Sequence, residues 1–202
     1  MKIKICGLNP IKDVQICINH KVNYLGFVFY EKSPRNVNLK DIKALSKYDK
    51  KNSAFVAVTV NPSDQFIKEN LLGNFEYIQL HGSETRQRTN EIKNMGFKVI
   101  KTVKVKEEKD IEMYKKFIDS NIILFDTPGM EKSLEFPEKL ISKIPKGEKY
   151  ALAGSISEKN VENLNKLGVN FFDLSSSLES QLGCKDHLKI ENFIKKINEL
   201  KN

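Results

Sequence analysis

Short runs of β-branched and aromatic residues recur about every twenty-odd residues along the whole chain, and this spacing is the strongest constraint on its fold. The runs are Lys2–Cys6, Tyr24–Phe29, Ala54–Val60, Tyr77–Leu80, Lys98–Val103, Ile122–Phe125, Tyr150–Ala153 and Phe171–Leu174, and each reads as a strand. Between them, apolar residues fall at helical spacing: Val14, Ile16, Ile18 and Val22, then Ile42 and Leu45, then Phe66, Ile67 and Leu71, then Ile111, Met113, Phe117 and Ile118. Asn61-Pro62-Ser63-Asp64 and Ser157-Glu158-Lys159-Asn160 offer helix starts, and Gly96 and Gly168 offer helix stops. Such alternation implies parallel strands with right-handed crossovers. An open doubly wound sheet would want a glycine-rich phosphate turn after the first strand, and Cys6-Gly7-Leu8-Asn9-Pro10 is not one. The expected fold is α/β, a single (β/α)₈ barrel of the TIM type, forming one domain over residues 1–202.

Composition narrows the partners. A hydrophobic content of 40% suffices for a full core, and no repeat or Pro/Gly-rich linker divides the chain. The net charge of +8 could serve nucleic acid, an anionic membrane or an anionic metabolite. Its lysines alternate with acids, as in Lys106-Glu107-Glu108-Lys109-Asp110, which reads as a solvated surface and argues against nucleic acid. Three scattered cysteines without a CxxC fit neither a disulfide framework nor a zinc site, so free thiols in a reducing compartment are expected. No signal peptide or membrane-length apolar run is visible, and a soluble, cytoplasmic protein, monomer or homodimer, is expected.

In such a barrel, reactive side chains sit at or just beyond the C-terminal ends of the strands. That rule selects Cys6, Arg35, Asn61, His81, Asp126, Gly154, Ser155 and the stretch from Asp173 through Ser175, Ser176 and Ser177. Alone, Cys6 could be a small core residue and Asp126 a helix cap. Together at one barrel mouth, they suit removal of a proton at one face of a substrate and delivery at another. Gly154-Ser155 and Ser175–Ser177 offer either ordinary turns or a phosphate cradle of backbone N–H groups. Arg35, stiffened by Pro34, could grip a carboxylate through two parallel hydrogen bonds or simply be solvated. His81 could be a base, a donor or a structural polar group. His20 and His187 lack matching partners, so no metal site is expected.

Taken in order, Lys4-Ile5-Cys6-Gly7, Gly26-Phe27-Val28-Phe29 with Ser33-Pro34-Arg35, Val58-Thr59-Val60-Asn61, Ile78-Gln79-Leu80-His81-Gly82, Leu124-Phe125-Asp126, Leu152-Ala153-Gly154, and Asp173 to Glu179 with Gly183-Cys184-Lys185-Asp186 resemble the phosphoribosylanthranilate isomerase family across almost the whole chain. The resemblance implies an Amadori rearrangement in tryptophan biosynthesis, with neither metal nor organic cofactor. It implies Cys6 as base, Asp126 as acid, Arg35 on the anthranilate carboxylate, and Gly154, Ser155 and Ser175–Ser177 on the phosphate, with His81 and Asp173 also lining the substrate. A small phosphorylated molecule is thus the expected partner. The alternatives are the histidine-pathway isomerase, against which Cys6 and the single Arg35 argue, and a barrel that binds phosphate without catalysis.

Three features depart from the family pattern. The segment Pro128-Gly129-Met130-Glu131-Lys132-Ser133-Leu134-Glu135-Phe136 is shorter and poorer in glycine than usual, so a different cover over the site is expected. Ser155 and Ser177 stand where the family usually has glycine, which implies weaker phosphate binding or added hydroxyl contacts.

Overall fold

Parallel strands β1 (Lys2–Cys6), β2 (Tyr24–Phe29), β3 (Ala54–Thr59), β4 (Tyr77–Leu80), β5 (Lys98–Lys104), β6 (Ile122–Asp126), β7 (Tyr150–Leu152) and β8 (Phe171–Leu174) pair in sequence order, and β8 returns to β1 to close a barrel. The computed structural model describes residues 1–129 and 134–201.

Alternation along each strand separates two apolar layers. On β1, Ile3 and Ile5 pack outward beneath the helices, whereas Cys6 meets the inner layer with Val28, Val56, Val58, Ile100, Leu124 and Phe171. The strands are therefore apolar on both faces, as expected of a parallel sheet covered by helices. Polar residues enter the interior at chosen positions: Lys4, Gln79, Asp126 and Asp173 are all buried.

The crossovers are short and of mixed winding. They comprise α1 (Val14–Asn19), a 3₁₀ segment (Leu39–Lys47), α2 (Asp64–Phe66), which widens into a π turn over Ile67–Leu71, α3 (Arg86–Asn94), α4 (Glu108–Ile111) followed by a 3₁₀ segment (Glu112–Phe117), α5 (Glu138–Ile141), α6 (Val161–Lys166) and α7 (His187–Glu199). Ser63 caps α2 by accepting from the Phe66 N–H, and Asp186 caps α7 by accepting from Leu188 and Lys189. Ile190, Phe193, Ile194 and Ile197 form the buried stripe of α7, and each such side chain contributes roughly 1.5–3 kcal/mol relative to exposure. Among the described residues, no helix is long and apolar enough to cross a membrane.

Several boundaries differ from expectation. After β2 the chain forms a 3₁₀ rather than an α-helix, and its buried residues Ile42 and Leu45 stand three apart, the repeat of that winding. Of the residues read at helical spacing after β5, Ile111 is buried and Phe117 packs against the core, whereas Met113 and Ile118 are exposed, and the winding changes from α to 3₁₀ after Ile111. An unanticipated antiparallel hairpin, β9 (Glu179–Gln181) and β10 (Cys184–Lys185), lies between β8 and α7.

Candidate active site

The barrel brings Cys6, Arg35, His81, Asp126, Gly154, Ser155, Asp173, Ser175, Ser176 and Ser177 to one cleft of about 350 Å³ at the C-terminal ends of the strands. Asn61 is not among its lining residues. It accepts instead from the Ser83 N–H at 3.0 Å, tying the turn after β3 to the turn after β4. Asp126 is the last residue of β6, paired with Lys104, rather than the first residue beyond the strand. Cys6 ends β1, three strands away around the barrel.

Beneath Cys6 lies a buried ion pair. Lys4, two residues earlier on the same strand face and only 1% exposed, donates to both carboxylate oxygens of Asp173 at 2.9 Å. Gly26 makes room for this group, since a Cβ there would stand 3.3 Å from both the Cys6 sulfur and the Lys4 nitrogen. Burial pushes the Cys6 thiol above its ordinary pKa, with Asp173 adding to the rise and Lys4 and Lys185 opposing it. Burial likewise raises Asp173, although Lys4 opposes the shift. Lys4 itself is raised: burial would lower it, but Asp173 and Cys6 prevail.

On the opposite wall, the His81 ring is held from two sides. Its Nδ1 lies 3.3 Å from the Gln79 side-chain nitrogen, and its Nε2 lies 3.4 Å from Asp126 Oδ2. Gln79 also donates to Thr102 at 3.2 Å, so this amide orients the ring from within the barrel. Asp126 Oδ1 is buried and has no hydrogen-bond partner among the described residues.

Arg35 is not a solvated loop residue. Its Nε and Nη2 donate to the two oxygens of Glu179 at 2.6 and 2.8 Å, a bidentate pair that fixes the guanidinium plane. Lys185, with no exposed side-chain surface, donates to the same carboxylate at 2.8 Å and to the Ser175 carbonyl at 3.2 Å. Burial alone would raise Glu179, yet Arg35 and Lys185 hold it below the usual carboxylate range. The hairpin thus fastens the loop after β2 to the loop after β8.

After β7, Gly154 has φ +112°, and a Cβ there would come within 3.0 Å of the Leu134 carbonyl and 3.1 Å of the Thr127 hydroxyl. Ser155 follows with φ +47°, a left-handed backbone that costs a side-chain-bearing residue more than glycine. Its carbonyl accepts from the Asn160 amide at 3.1 Å. Ser175 donates to the Cys6 carbonyl at 3.2 Å, and Ser176 and Ser177 open a single 3₁₀ turn. Of the segment after Asp126, residues 130–133 lie outside the described residues. Thr127 donates to Leu134 on its far side at 2.6 Å.

Reading the sequence by strand ends missed Lys4, Glu179 and Lys185. A lysine two residues before Cys6 on one strand face was the available signal for Lys4. Nothing local marks Glu179, whose partner Arg35 lies 144 residues away. Among the described residues, no group of three or more His, Cys, Asp or Glu is arranged to hold a metal ion.

Barrel topology with a thiol and a carboxyl in one cleft at the strand C-termini defines the class, a (β/α)₈ barrel with its candidate active site at the face where such barrels carry their chemistry. Residues 3–196 match the family described as N-(5'phosphoribosyl)anthranilate (PRA) isomerase. The N-(5'-phosphoribosyl)anthranilate isomerase of Aquifex aeolicus (strain VF5) is 36% identical, with 97% of this chain and 98% of the relative covered. That of Petrotoga mobilis is 34% identical, covering 100% and 99%. The solved Thermotoga maritima phosphoribosyl anthranilate isomerase superposes with a TM-score of 0.87 at 27% identity, covering 98% and 99%. The chain belongs to the N-(5'-phosphoribosyl)anthranilate isomerase family, the aldose–ketose isomerases of tryptophan biosynthesis.

Proposed function

We propose that this chain converts N-(5-phosphoribosyl)anthranilate to 1-(2-carboxyphenylamino)-1-deoxyribulose 5-phosphate with Asp126 as general acid and Cys6 as general base. The observation that carries this reading is the presence of Cys6 and Asp126 in one cleft, on strands three apart around the barrel. A solved relative in complex with the reduced form of that product, 27% identical with a TM-score of 0.83, and covering 98% of this chain and 99% of its own, supports a small phosphorylated ligand.

Asp126 gives a proton to the furanose ring oxygen as the C1–O bond breaks, and the nitrogen lone pair forms an iminium ion. The iminium acidifies the C2 proton, which the Cys6 thiolate takes. The C2–H electron pair becomes the C1=C2 bond of an enolamine, which yields the ketone by gaining a proton at C1 and losing one from its hydroxyl. His81, held by Gln79, directs Asp126 through Oδ2. The other oxygen, Oδ1, is left to meet the substrate. Arg35, its plane set by Glu179, meets the anthranilate carboxylate. Gly154, Ser155 and Ser175–Ser177 hold the phosphate, and Asp173, held by Lys4, lines the same cleft.

The test is fluorescence-monitored consumption of freshly generated phosphoribosylanthranilate, in a metal chelator, by the parent protein and by Cys6→Ala and Asp126→Asn. Each variant should lose turnover by roughly 10²–10⁴-fold, the usual contribution of a positioned acid or base, with product binding largely kept. Near-parental turnover by either would overturn that residue's role.

A further inference from the structure

A thiolate is the form of Cys6 that can accept a proton, and the barrel interior disfavours it unless a positive charge lies close by. Lys4 supplies that charge. Its ammonium donates to both oxygens of Asp173 at 2.9 Å and shares with the Cys6 sulfur the space beside Gly26, where a Cβ would stand 3.3 Å from each. Every nearby charge comes from an identifiable element. Lys4 lies on β1, Asp173 on β8 and Lys185 on the β9–β10 hairpin, while Asp126 on β6 and His81 after β4 face Asp173.

We propose that Lys4 is the positioning residue of the base: its buried ammonium, held by Asp173, is the counter-ion that stabilises the Cys6 thiolate. The Asp173 carboxylate keeps the ammonium beside the sulfur and at the same time competes with the thiolate for it. When Cys6 gives up its proton, the new negative charge meets a cation already in place inside the barrel. The proposal rests on Cys6 being the base.

The test measures the pH dependence of Cys6 alkylation by iodoacetamide, read by peptide mass so that Cys17 and Cys184 are counted separately, alongside the pH profile of kcat/KM. Lys4→Met should move the alkylation midpoint upward by roughly one pH unit or more, so that reaction at neutral pH slows about ten-fold, and should move the acid limb of kcat/KM with it. Asp173→Asn keeps the cation and removes its competing anion, and should move the midpoint downward. It also serves as the test if Lys4→Met fails to fold. A midpoint unmoved or raised in Asp173→Asn, or unmoved in folded Lys4→Met, would overturn the role of Lys4. A midpoint that moves while the acid limb stays would instead overturn the assignment of Cys6 as base.

Discussion

Arg35 shows how a single side chain can be legible in position and illegible in context. Its place beyond the second strand followed from barrel geometry alone, but its tether to Glu179 did not, because the two are joined only when the last hairpin folds across the mouth. With that tether, Arg35→Ala should chiefly raise KM and leave kcat within a few-fold, since the lost contact is made equally in ground and transition states. An unchanged KM in steady-state assays would remove its assigned role. Gly154 is constrained differently. An alanine there meets both a left-handed backbone and two oxygens at about 3 Å, and Gly154→Ala should weaken inhibition by inorganic phosphate and lower stability by about 1–3 kcal/mol. Competitive inhibition and urea midpoints equal to the parent's would contradict this. Cys6, Asp126 and His81 could be placed from sequence for the same reason as Arg35, whereas Lys4 read only as the polar member of an alternating strand.

The strands were legible because a residue buried on both faces must be apolar, and that demand leaves continuous runs. The crossovers were less so, since Ile42 and Leu45 satisfy either a 3₁₀ or an α repeat. Nor did composition reveal the brace between β4 and β5. Lys101 on β5 and Glu84 ahead of α3 are 2% and 5% exposed and meet at 2.6 Å. Glu84 also accepts from the N–H groups of Asn61 and Gly82 at 2.8 and 3.1 Å, and Lys101 donates to the carbonyl of Gly82 at 3.0 Å. Burial would raise Glu84, but Lys101 and the Asn61 N–H hold it below its ordinary 4.5. A carboxyl lowered on folding stabilises above its unfolded value and loses that contribution as pH falls through the folded one. Glu84→Gln strands the Lys101 ammonium and should cost about 3–5 kcal/mol near neutrality. The gap from the parent should shrink below pH 4.5, where the parent's own Glu84 takes up a proton. Denaturant titrations across pH read this directly, and a gap independent of pH would mean that the pair contributes only through packing.

Across the whole molecule, the surplus of +8 is spread over an interleaved surface, yet it still favours approach of a substrate bearing a phosphate and a carboxylate. Raising ionic strength should therefore lower kcat/KM while kcat stays nearly constant. A flat salt response would reduce the surplus to a matter of solubility. The bond between Lys4 and Asp173 carries a different implication, for the order in which the protein is made. Lys4 leaves the ribosome 169 residues before its counter-ion does, an interval of roughly ten to thirty seconds at ordinary elongation rates. Throughout that interval the growing chain holds an ammonium destined for the barrel axis with nothing to neutralise it there. The pairing of β1 with β8 that shuts the barrel is the same event that brings Asp173 to Lys4, so closure and completion of the site come together, after the last strand is made.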